Sequence, residues 1–270
     1  MLRDLAAELS HTDHRQLTPA DVHITRKRIK RARAALALLR PALDEQDFDA
    51  CDRSLRDAGR SLATARDATV IARTYARMRA RTATASPHPE PGTVRTRTAD
   101  GSPQGQTVSA TVAHRHLVAA VRRLGRAPLT ARGWAPLGSG VRAVYRRGRR
   151  RRPRESHPTT EALHAWRRHA KRYWHVLELF EGVNPQRIAP AVADARRLSD
   201  LLGEEHDLAL LAERLHGRRR GVDEAVLATV ADRRARLTRR ALKLGAKVYD
   251  EPARVVERCL RADWERWRGQ

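Results

Sequence analysis

Aromatic residues are scarce in this chain: five Trp, four Tyr and two Phe in 270 residues. Strands draw on aromatic and β-branched side chains, whereas helices pack well through Ala, Leu and Val. With 41% of the sequence apolar, the shortage predicts an all-α protein with almost no sheet. Cysteine is nearly absent too. Cys51 and Cys259 lie far apart and outside any CxxC or Cys/His spacing, which excludes a disulfide framework and a zinc site and suggests free thiols in a reducing compartment. No apolar run approaches the roughly 20 residues needed to span a bilayer. The segment from Met1 to Glu8 lacks the apolar stretch of a signal peptide. The expectation is a soluble, cytoplasmic protein without a membrane partner.

Acidic residues are outnumbered. The 31 Asp and Glu face 55 Lys and Arg, a net charge of +24. Such a surface attracts polyanions and repels cations. Nucleic acid, anionic lipid, heparin-like sugars and condensed phosphate all fit that description, so position must decide among them. No Gly-x-Ser-x-Gly, P-loop or paired-carboxylate signature occurs, and the expectation is a binding protein rather than an enzyme, with no cofactor. The pairs His11/His14 and His114/His116 and the run Glu204–Asp207 lack further ligands at metal spacing, so no structural metal is expected.

Helices fill most of the chain. Thr18 reads as a cap and Pro19 as a first helical residue, and Val22, Ile29, Ala32, Leu36, Leu39 and Leu43 mark one helix face. Further helices are predicted over 47–64, 66–81, 108–124, 137–152, 160–181, 186–202, 206–219, 223–249 and 251–268. Residues 82–107, rich in Pro, Gly, Ser and Thr and without periodicity, read as a loop or disordered insert. A break at Pro153–Pro158 divides a first half, about 5–152, from a second, about 159–268.

The two halves repeat. Aligning His23 with His164 places Arg26, Lys27, Lys30 and Arg31 over Arg167, Arg168, Lys171 and Arg172. The apolar stripe stays in register, with Val22, Thr25, Ile29, Ala32, Leu36 and Leu39 opposite Leu163, Trp166, Ala170, Tyr173, Leu177 and Phe180. Residues three and four apart share a helix face, so each half carries one basic stripe. Like charges at that spacing repel by roughly 0.2–0.5 kcal/mol per pair, and a polyanion reverses the sign. Only five Lys accompany 50 Arg, and three of them, Lys27, Lys30 and Lys171, lie in the stripes. A compact ammonium beside flat guanidinium forks suits a flexible phosphate chain approached from several angles. Farther along, Arg56 aligns with Arg196, and Arg66-Asp67 with His206-Asp207.

This ordered set, together with Leu202-Gly203, the run from Tyr145 to Arg149 and the run from Leu244 to Tyr249, resembles the CHAD family, the conserved-histidine α-helical domain. The resemblance covers residues 5 to 268. It implies two four-helix-bundle-like halves related by an internal pseudo-twofold repeat around a basic central groove or pore. It also implies binding of inorganic polyphosphate without a known catalytic step. Some members sit on polyphosphate granules, and others are fused to a triphosphate tunnel domain. The Glu-x-Glu-x-Lys motif of that tunnel is missing, which fits the stand-alone form. The departures are the insert at 82–107 and His206 where the first half has Arg66.

The polyphosphate contacts expected on this basis are His23, Arg26, Lys27, Lys30, Arg31, Arg56, His164, Arg167, Arg168, Lys171, Arg172 and Arg196, with Arg146, Arg149, Lys243 and Lys247 as possible additions. The two His either contact ligand or serve as core or capping groups. As ligand contacts, protonation near neutral pH would tighten binding as pH falls. Arg56 and Arg196 either complete the groove or pair with nearby carboxylates, and the aspartates of the second match read as helix-start or turn residues. Nucleic acid is a secondary partner, because 11 aromatics offer few stacking platforms for single strands. A scaffold that recruits other proteins to acidic granules through the insert is the third reading.

Overall fold

Pro19 occupies the position where a helix does not need a backbone N–H, and in the computed structural model it is the first residue of α1, Pro19–Leu39. The structure describes residues 19–62, 64–83, 103–217 and 224–270; Thr18, expected to cap α1, lies outside them. The helices that follow are α2 (Glu45–Ser61), α3 (Thr64–Ala83), α4 (Pro103–Arg126), α5 (Trp134–Arg151), α6 (Thr160–Phe180), α7 (Pro185–His216), α8 (Glu224–Val248) and α9 (Ala253–Arg268). No strand occurs among the described residues.

The insert is shorter than the composition predicts. Residues 82 and 83 end α3, and 103–107 already belong to α4. Pro103 reads as a loop residue by composition, yet at a first helical position its missing N–H and fixed φ favour a start. Residues 84–102 lie outside the described residues.

α1 and α6 have the same local grammar. Each runs for 21 residues and passes directly into a three-residue 3-10 turn, Arg40–Ala42 and Glu181–Val183. The following helix is capped by a short polar side chain: Asp44 accepts from the Gln46 N–H and Asn184 from the Arg187 N–H. Beyond this point the halves differ. α2 and α3 are separate, whereas α7 is a single helix of 32 residues. The predicted break between 202 and 206 is absent, because Leu201, Leu202, Glu205, Leu208 and Ala209 continue the buried stripe across Gly203. Tertiary burial outweighs the local cost of one helical glycine, about 1 kcal/mol. His206 and Asp207 are consequently mid-helix residues rather than a helix start. Arg66 and Asp67 do fall in the first turn of α3, and their side chains lie outside the described residues.

α1 is buried on two sides. Ile29, Ala32, Leu36 and Leu39 pack with Cys51, Leu55 and Ala58 of α2 and with Ala113, Leu117 and Ala120 of α4. Ala34 and Leu38 turn instead to a larger cluster built from α5 to α9, with Met78 of α3. Each fully buried Leu contributes about 2 kcal/mol. The small residues make the crossings close: a Cβ on Gly140 of α5 would overlap the Leu38 backbone, and one on Gly245 of α8 would overlap the Trp166 ring. α6 lies at the centre of the larger cluster, with Tyr173 to Leu177 buried in unbroken succession. Cys51 and Cys259 are free thiols; burial pushes the Cys51 thiol up to about 11.

Candidate functional site

The two basic stripes sit on helices that pack against each other. Lys30 of α1 and Lys171 of α6 both act on the imidazole of His175, which is only 2% exposed. Lys27 and Arg31 of α1 act on Glu178, one turn farther along α6. The N-terminal half of α1 thus lies against the C-terminal half of α6. His175 Nδ1 is 2.7 Å from a Glu178 carboxylate oxygen. Burial, aided by the two lysines, keeps His175 below its ordinary value against the opposing pull of Glu178. Burial alone would raise Glu178, but the hydrogen bond from His175 and the fields of Arg31 and Lys27 hold it below the usual carboxylate range. The carboxylate is an acceptor, so Nδ1 carries the proton and donates.

A second junction forms where α1, α2, α5 and α6 meet. Arg172 is largely desolvated and feels the like charges of Arg33, Arg147 and Arg56, with Asp52 as the opposing carboxylate. Asp52 is bonded by Arg33 at 2.9 Å and by Arg56 at 2.5 Å. Its burial raises the carboxyl, and these two guanidinium groups more than reverse that. Next to this junction His169 is pushed down to about 4, by burial first and then by Arg172, Arg151, Arg147 and Arg168.

His164 is not a charged member of its stripe. Its Nδ1 lies 3.2 Å from Nδ1 of His206 on α7, with ring centroids 4.5 Å apart. Burial, then Arg168 and Arg167, depress His164, and burial, Arg167 and His164 push His206 down to about 4. Near pH 7 one neutral ring donates to the other. In the unliganded protein the protonation of His164 is therefore displaced below its ordinary range. The pair lines a cavity of about 640 Å³ with Arg168, His216 and Arg234.

The other expected contacts are distributed unevenly. Arg26 donates from Nη1 to the carbonyls of Gly59 at 3.2 Å and Leu62 at 2.8 Å, closing the C-terminal end of α2. Its counterpart Arg167 lies beside Gly203 and lines a cavity of about 260 Å³ with Lys171, Arg77 and Asp200. Lys27, Arg168 and His23 are exposed. Arg56 pairs with Asp52, and Arg196 sits 4.0 Å from Asp200, each with a carboxylate four residues away. Arg196 and Lys171 also lie over the Trp174 ring, at 6.0 and 5.9 Å. On α5, Arg147 and Arg151 act on His169, and all four of Arg146, Arg147, Arg149 and Arg151 are exposed. Lys247 is held by Asp194 at 2.8 Å, and Lys243 is exposed on α8.

Sequence reasoning missed His175, Glu178, His169, Arg33 and Arg147. For the first two a signal existed: they continue the stripe of α6 from Lys171 by four and seven residues. The arrangement offers cationic groups at successive turns of two packed helices, suited to neutralising a linear run of anionic charge. Among the described residues there is no group of three or more side chains able to hold a metal ion, and no helix is long and apolar enough to cross a membrane. No curated protein and no solved structure matches the chain. The model of the CHAD domain matches residues 1–216, four-fifths of the length, and the chain with its paired basic helices belongs to the CHAD domain family.

Proposed function

We propose that this protein binds inorganic polyphosphate, without chemical turnover, in a basic groove where α1 and α6 meet. The observation that carries the reading is the convergence of Lys30 and Lys171, matching positions of the two repeats, on the single imidazole of His175. Membership of the CHAD family, which is associated with polyphosphate binding in general, supports it. Phosphate residues along the chain would be met in turn by Lys27, Lys30 and Arg31 and by Arg167, Arg168, Lys171 and Arg172, with Arg56 and Arg147 extending the path past α2 and α5. Each charge-assisted contact is short and strong in a partly desolvated site, and the repulsion within each stripe is relieved on binding. In a cytoplasm such a surface would draw the protein to polyphosphate granules.

Single-stranded nucleic acid fits less well. Trp174, the aromatic ring of the site, is 8% exposed and covered by Lys171 and Arg196, so it offers no face for a base. The test is a calorimetric titration with phosphate chains of graded length at several salt concentrations. Counterion release predicts affinity that rises with length until both stripes are engaged and falls roughly 10³–10⁵-fold between 50 and 200 mM salt for about 6–10 contacts. Affinity independent of length would contradict the reading. Recovery of the chains at their starting length after long incubation checks the absence of turnover.

A further inference from the structure

Ten residues after the aligned histidine the two stripe helices differ: α1 carries Arg33 and α6 carries Trp174. Both side chains nevertheless steady the same neighbour. Arg56 of α2 and Arg196 of α7 are matching positions in the repeat. Arg196 lies over the Trp174 ring at 6.0 Å, within cation–π reach, with the exposed Asp200 4.0 Å away. Arg56 is tied to Arg33 through a carboxylate. Asp52 accepts from Arg56 Nη2 at 2.5 Å and from Arg33 Nε and Nη2 at 2.9 and 3.3 Å. Two guanidinium groups repel each other, so the first half needs Asp52 where the second half has Val192.

The carboxylate is the most deeply buried of the three groups. Its side chain is 15% exposed, against 28% for Arg33 and 48% for Arg56. A guanidinium carries five N–H donors. Arg33 gives two to Asp52 and Arg56 gives one, which leaves three and four to meet phosphate oxygens. Arg33 also follows Lys30 by three residues on α1, so it continues the basic stripe by one turn.

We infer that Asp52 is a positioning residue: it holds Arg33 and Arg56 as one preset clamp for phosphate, where Trp174 steadies Arg196 in the second half. This rests on the polyphosphate reading and gives a residue of the same charge as the ligand a part in binding it. Without the carboxylate the two like charges repel, and both long side chains regain rotamers that the ligand must then remove. Ordering one such side chain weakens binding by about two- to tenfold. Asp52 also repels phosphate, but two more exposed guanidinium groups offset its charge.

Asp52→Asn removes a negative charge, so net charge alone predicts tighter binding. The clamp predicts the opposite, a loss of roughly three- to tenfold for long polyphosphate. Arg33→Lys keeps every charge and can still pair with Asp52, but it lacks the two-point fork; it should lose about two- to fivefold. Glu224→Gln, which removes an exposed charge at the start of α8, is the control for net charge and should not weaken binding. In an Arg33→Gln, Arg56→Gln background the clamp is gone, and adding Asp52→Asn should leave affinity unchanged or raise it. Thermal unfolding separates a part in the fold from a part in the site. A purely structural ion pair lowers the melting temperature of Asp52→Asn while the folded variant binds as tightly as wild type or more so. That result, or an Arg33→Lys variant that binds like wild type, overturns the inference while wild-type binding stands. If Asp52→Asn does not fold, Arg33→Lys decides. If wild type shows no preference for polyphosphate over other polyanions, the underlying reading fails and the inference with it.

Discussion

Arg26 and Arg167 occupy equivalent positions in the repeat, yet Arg26 closes the end of α2 through two carbonyls while Arg167 borders a cavity. Hydrogen bonds from a charged donor are worth about 1.5–3 kcal/mol in total effect when their acceptors are left without a partner. Arg26→Ala should therefore lower stability by about 2 kcal/mol in urea titrations, and Arg167→Ala should mainly weaken polyphosphate binding. Spacing reveals that both arginines share a face with their neighbours, but not that a loop carbonyl lies within reach of one of them. That is a long-range fact, set by where α2 ends. His169 and His206 carry a second consequence at this scale. Both are held down to about 4, below the ordinary histidine value near 6.5, so the unfolded chain takes up more protons between those limits. Their contribution to stability is complete above about pH 6.5 and is lost as pH falls toward 4. Thermal unfolding at pH 5 should come at a lower temperature than at pH 7.5, and the gap should narrow in His169→Gln. Anion binding beside Arg147, Arg151, Arg168 and Arg172 lifts His169 back toward its ordinary value. Binding at pH 5.5 should then consume protons, which calorimetry in two buffers of different ionisation heat will detect.

Helices were legible wherever the apolar spacing of three and four was sustained, and α6, α8 and α9 begin and end within a few residues of where that pattern and its Pro and Gly punctuation place them. α7 was not. Gly203 and the charged run after it imitate a helix break, and only the burial of Leu201, Leu202, Glu205 and Leu208 on neighbouring helices shows that the helix continues. Glycines in such positions are read correctly only with their neighbours in view. A Cβ at Gly203 would meet nothing closer than Arg167 Nε at 3.9 Å, so Gly203→Ala should gain about 0.8–1 kcal/mol of stability from helix propensity. The same change at Gly140 drives a Cβ into the Leu38 backbone and should cost about 1–3 kcal/mol through displacement of α1 from α5. Unfolding midpoints that move in opposite directions bear this out; a loss at Gly203 would mean that its backbone approach is needed for something other than continuity of α7.

Across the whole molecule, the net charge of +24 named a class of partner, and the repeat of His23–Arg31 in His164–Arg172 located where charge is concentrated. What composition and spacing could not convey is which basic faces meet. α1 packs on α6, and Lys30 and Lys171 both act on His175, while the junction of Arg33, Arg56, Arg147 and Arg172 joins four helices whose contributions lie far apart in the chain. On the polyphosphate reading, single charges in such a network would be shared among several phosphates, so one substitution is expected to weaken binding modestly and two at the convergence point to weaken it strongly. The most direct measurement is competition among long polyphosphate, short polyphosphate, double-stranded DNA and single-stranded RNA at one ionic strength, for wild type and for Lys30→Glu combined with Lys171→Glu. The account predicts that long polyphosphate displaces the other three from wild type and that the folded double variant loses this preference. Equal binding of all four polyanions, unchanged in the variant, would contradict it.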